Sequence, residues 1–72
     1  VISVCFWGQR DGKEYGTLTM PFVPSVEDTV YLEMDEDVLI CGEVASVLWI
    51  VDLKKGNSDY SVTVYLKNVE EK

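Results

Sequence analysis

The chain has 72 residues, room for one small domain and not for two, because short chains bury a smaller share of their surface on folding. Hydrophobic residues make up 47% of it, too many for a charged disordered segment to be the default. Thirteen Asp or Glu against six Lys or Arg give a formal net charge of −7, and the lack of any histidine removes the commonest neutral-pH general base and the usual nitrogen ligand of zinc.

In chain order, Val1 to Trp7 alternates, with Ile2, Val4 and Phe6 on one face and Ser3, Cys5 and Trp7 on the other. Gly8 to Lys13, with Asp11-Gly12, supplies a turn, so a first hairpin is expected. Its return strand, Tyr15 to Phe22, puts Gly16, Leu18 and Met20 on one face and Thr17 and Thr19 on the other, until Pro21 and Pro24 remove backbone donors. Ser25 to Asp28 reads as a loop. Thr29 to Met34 resumes the alternation with Val30, Leu32 and Met34 inward and Tyr31 and Glu33 outward, and Asp35-Glu36-Asp37 reads as an acidic turn.

The run from Val38 to Leu53 is longer than one ordinary strand needs, and its pattern changes phase. Val38, Ile40, Gly42 and Val44 share one parity, whereas Val47, Trp49 and Val51 share the other, which predicts a bulge or bend at Ala45-Ser46. Such a break lets one strand serve two sides of a curled sheet, and Gly42 just before it tolerates sharp bending. Lys54 to Asp59 reads as a hairpin loop. Tyr60, Val62, Val64 and Leu66 then alternate with Ser61, Thr63, Tyr65 and Lys67 as the last strand, ahead of an acidic, frayed tail at Glu70 to Lys72. The expected fold is all-β, one domain over residues 1–72: a small five-stranded, strongly bent antiparallel sheet or SH3-like barrel.

The stretch SVEDTVYLEM…CGEVASVLWIVDL…YSVTVYL, within residues 25–66, resembles SH3-like barrels of the Tudor and KOW type, in which an acidic residue precedes a Val-x-Leu strand and a Gly-x-Val-x-x-Val strand follows. The resemblance implies the barrel fold, and it implies binding of extended peptides or modified Lys or Arg through surface aromatics, sometimes with acids beside them, since a cation is attracted to an aromatic face. Residues 1–22 lie outside it, as an additional pair of strands or as the start of the same barrel.

No basic residue occurs between Glu14 and Leu53, a stretch holding nine acids, while residues 1–13 and 54–72 each sum to about +1. Nucleic acid depends on Lys and Arg to displace its counterions, so direct binding to it is not expected. A basic protein surface or peptide is the natural complement. Neither a secretory leader pattern nor an apolar run long enough to cross a bilayer is present, so a soluble, cytoplasmic chain without membrane contact is expected. Cys5 and Cys41 sit in apolar runs and are read as reduced core residues rather than a disulfide.

For catalysis, the lack of histidine excludes Ser-His and Cys-His nucleophiles, and no CxxC pair or phosphate-cradling glycine loop occurs. Asp35, Glu36, Asp37 and Glu43 are candidates for paired-carboxylate chemistry by composition alone, and Asp35-Glu36-Asp37 lacks the spaced ligands and central Gly of a calcium loop. A non-enzyme without cofactor or metal is expected. The leading function is a protein-interaction module whose partner-binding residues are Trp7, Tyr15, Glu27, Asp28, Tyr31, Glu33, Asp35, Glu36, Asp37, Glu43 and Tyr65. Trp7, Tyr15, Tyr31 and Tyr65 fall opposite the expected core, where they form a binding surface or else cover barrel ends and the first hairpin. The alternatives are an acidic inhibitor imitating nucleic acid, as some phage proteins do, and a barrel that pairs edge strands with a second copy.

Overall fold

The computed structural model describes residues 2–34, 38–51 and 60–71. Five strands, β1 (Ile2–Gly8), β2 (Glu14–Met20), β3 (Thr29–Glu33), β4 (Leu39–Val51) and β5 (Tyr60–Glu71), make one sheet in the order β2-β1-β5-β4-β3, and no helix occurs among the described residues. The sheet curls into a half-barrel measuring 41 × 23 × 19 Å. It is mixed rather than wholly antiparallel, because β1 and β5 run parallel from Ile2↔Tyr60 to Gly8↔Leu66. The cause is simple parity. Each connection reverses the chain, so odd-numbered strands share a direction, and the β3-β4-β5 meander returns β5 to the side of β1. The first hairpin thus belongs to the same sheet.

The change of hydrophobic phase in β4 has a backbone counterpart. Val44 faces Leu66 and Ser46 faces Tyr65, leaving Ala45 as the extra residue of a bulge where the sequence pattern places it. A second irregularity sits beside it. Asn68 and Val69 of β5 together oppose Gly42 alone, with Asn68 at φ 52, a conformation that Asn tolerates better than most residues. Two adjacent bulges bend both long strands, so one half of each joins β1 and β2 and the other half joins β3. The last strand also runs further than expected. Glu70 and Glu71 pair with Cys41 and Ile40, so this part of the tail is strand rather than frayed.

The core lies on the concave face at the bend. Val4 and Phe6 of β1, Ile40 and Val44 of β4, and Val62, Val64 and Leu66 of β5 are its buried residues, and none of them is polar. The outermost strands contribute only partly buried residues, Tyr15 and Met20 from β2 and Val30 and Leu32 from β3. Cys5 and Cys41 are free, yet they are half-buried on the outer face rather than in the core, since each follows the parity opposite its buried neighbours. No helix of the described residues is long and apolar enough to cross a membrane.

Candidate functional site

The curl brings the two sheet edges, β2 and β3, toward each other without joining them. No Cα of β2 lies within 8 Å of a Cα of β3, and residues 21–28 link them across one end. Because β2 is even-numbered and β3 odd, the facing edges run antiparallel. Between them lies a groove of about 270 Å³ lined by Phe6 beneath, by Tyr15 to Leu18 on one bank and by Tyr31 to Met34 on the other. A second groove of about 550 Å³ continues it past Met20, Phe22, Asp28 and Tyr31. Together they form one seam.

Leu18 points toward the concave interior but is 47% exposed, because nothing among the described residues covers it from the β3 side. Gly16, its neighbour but one, has φ +148 and would meet no atom within 4 Å if it carried a side chain, so the bank is open there. Among the described residues, Glu33 and Asp28 are the only charged side chains lining the two grooves. Both are acidic.

Four of the expected partner-binding residues meet at this seam: Tyr15, Asp28, Tyr31 and Glu33. Tyr31 is 62% exposed and stands outward on β3 between Thr29 and Glu33. Across the pair it adjoins Cys41, whose own β5 neighbour is Glu70. Glu43 lies diagonally from it, opposite Thr29, and opposes Lys67 on its other side. One central carboxylate therefore has a lysine as cross-strand neighbour. Glu27 is exposed at φ 77 in the loop before β3, and its N–H donates to the Val44 carbonyl at 2.8 Å. The Asp28 carboxylate accepts the Ser25 N–H at 2.8 Å, which closes the loop that delivers β3.

The aromatics do not share a single face, as the sequence pattern suggests they should. Tyr15 packs against the core cluster instead. The reason is a bulge in the first hairpin: Phe6 faces Gly16 and Trp7 faces Glu14, so Tyr15 is the extra residue and leaves the alternation. Its hydroxyl donates to Asp11 Oδ2 at 3.4 Å, and Lys13 Nζ stands 5.9 Å above its ring. Partial burial, then the charge of Asp11 and their hydrogen bond, hold the Tyr15 pKa above the ordinary tyrosine value. Trp7 and Tyr65 are paired neighbours on the outer face of the other half-sheet, both half-buried, with the Trp7 indole N–H donating to Cys5 Sγ at 2.9 Å. Asp35, Glu36 and Asp37 lie outside the described residues.

Sequence reasoning missed Gly16, Leu18, Phe22 and Met34 as seam residues. Alternation marks a residue as inward, and only the distance between two sheet edges shows that an inward residue is left uncovered. No family pattern, curated protein sequence or solved structure matches this chain.

Proposed function

We propose that this domain is a non-catalytic protein-interaction module that binds a basic protein surface or peptide on the β3 side of the half-barrel. The observation that carries the reading is an exposed Tyr31 with Glu33 near it on the same strand, bordering grooves whose only charged linings among the described residues are acidic. An aromatic face with carboxylates near it attracts a cation twice over, through the ring quadrupole and through charge. The curled five-stranded sheet is compatible with the SH3-like barrels that residues 25–66 resemble, and binding through surface aromatics is what that resemblance implies. Affinity capture at about 20 and 200 mM salt tests the reading, since the Debye length falls from about 21 to about 7 Å over that range. Basic partners should be retained at the lower salt, released at the higher, and lost with Tyr31→Ala or Glu33→Gln. Partners without basic surface, or binding that ignores salt, refute it.

A second reading, self-association, is favoured by one observation. Leu48 and Ile50 are exposed on the outer face of β4, and their cross-strand neighbours Thr63 and Ser61 are uncharged, as are Cys5 and Ser3 beyond them on β1. A patch without charge lets two copies of an acidic chain meet without repulsion. Sedimentation showing a monomer at millimolar concentration rejects this reading.

A further inference from the structure

The seam between β2 and β3 is too wide for the two edges to pair directly, and both line one groove. Both edges pair on one side only, and no backbone hydrogen bond among the described residues joins them. Directly paired strands lie about 4.8 Å apart, so two strands flanking a third are separated by about 9.6 Å. An absence of any Cα approach within 8 Å excludes direct pairing, while shared lining of one 270 Å³ groove keeps the banks close. Resting on the basic-partner reading above, we infer that an extended segment of the partner, alternating apolar and basic residues, enters the seam as a sixth strand and closes the half-barrel.

The alternation follows from the two faces of such a strand. Side chains turned inward meet half-exposed Leu18, partly buried Leu32 and the open bank at Gly16, all apolar. Those turned outward emerge beside Tyr31 and Glu33, where a lysine or arginine finds a ring and a carboxylate. Because β2 and β3 run antiparallel, the inserted strand is parallel to one and antiparallel to the other, and its amides reach both banks. A second copy of this chain is a poor occupant. At a net charge of −7 it brings like charge to a seam whose charged linings among the described residues are the acids Glu33 and Asp28.

The test uses the full 72-residue chain and a capped octapeptide of alternating Lys and Val, followed by amide chemical shifts and hydrogen exchange. Two companion peptides accompany it: one of alternating Glu and Val, and the Lys-Val peptide N-methylated at every second residue to remove the donors along one edge. Expected are shifts along residues 16–18 and 31–33, slowed exchange of the edge amides of β2 and β3, at least tenfold weaker binding after N-methylation, and none for the Glu-Val peptide. Leu18→Lys, which sets a cation on the bank at a position already half-exposed, should weaken the Lys-Val peptide at least tenfold while leaving the fold intact by circular dichroism. If the N-methylated peptide binds as tightly as its parent, strand insertion is overturned and the basic-partner reading stands. If the Lys-Val peptide causes no shift at millimolar concentration, or the Glu-Val peptide binds equally, both fall. Edge amides of β2 and β3 as protected in the free protein as those of β5 also overturn the insertion.

Discussion

Replacing Leu66 by Ala tests whether the core sits at the bend of β4 and β5. Leu66 is 1% exposed, faces Val44 on β4 and Gly8 on β1, and lies against Gly42, where an added Cβ would come within 3.2 Å of its own. Truncation removes the isopropyl group from a site walled by three strands, and buried Leu→Ala changes cost about 2–5 kcal/mol. At roughly 0.05–0.15 kcal/mol per residue, a chain of this length has only about 4–11 kcal/mol of stability in total. The substitution therefore removes roughly a fifth of it at the least, and at about 4–8 °C per kcal/mol the midpoint falls by at least about 8 °C. Urea unfolding followed by tryptophan fluorescence, with calorimetry beside it, measures both quantities. The control is Leu48→Ala on the same bent pair of strands, 48% exposed on the outer face, expected to cost under about 1 kcal/mol. Equal losses at the two positions, or a Leu66→Ala loss below about 1 kcal/mol, refute a core packed at the bend.

The remaining predictions concern the turns, the titrating tyrosine and the thiols. Gly42→Ala sets its Cβ 3.2 Å from Leu66 Cβ and 3.3 Å from Val69 Cγ2, so overpacking of about 1–3 kcal/mol should exceed the smaller gain from a stiffer unfolded chain, and Val69→Ala should relieve part of it in a double-mutant cycle. Gly16→Ala should lose about 1–2 kcal/mol through its φ of +148 alone, since no atom obstructs the new side chain; unchanged stability would mean that the hairpin bulge is absent. Tyr15 is neutral in the fold to higher pH than in the unfolded chain, so its contribution is complete below pH 10 and is lost as pH rises through the raised folded value. Ultraviolet titration should show Tyr15 ionising above the ordinary tyrosine range, and Asp11→Asn should bring it back part of the way. Cys5 and Cys41 should both react with a thiol reagent in the folded protein without reductant, a result that a disulfide would abolish.

Several features of the fold were legible residue by residue. Alternation from Ile2 to Phe6 and from Val62 to Leu66 marked the inward rows, because side chains on a strand point to opposite faces with period two. The phase change between Val44 and Val47 marked the bulge at Ala45, since an extra residue is the only local way to carry an apolar row across a parity break. By the same rule a bulge without an apolar row through it leaves no trace. Tyr15 followed the hairpin turn with only Gly16 beside it, and nothing in the residues showed that the register with β1 shifts there. Glu70 and Glu71 were similarly opaque, because their charge favours a solvated tail while pairing with Cys41 and Ile40 needs only their backbone.

What the sequence determined by itself is local: five strands, the bend in the fourth, the absence of basic residues from the middle of the chain, and the inward rows of β1, β4 and β5. Tertiary structure decided which strands are neighbours. It set β5 parallel to β1, left β2 and β3 as edges facing each other across the seam, and placed Lys67 opposite Glu43. Those outcomes depend on contacts between residues far apart in the chain, whose closure is governed by how a bent sheet can bury Val44, Val64 and Leu66 together rather than by any short run of residues.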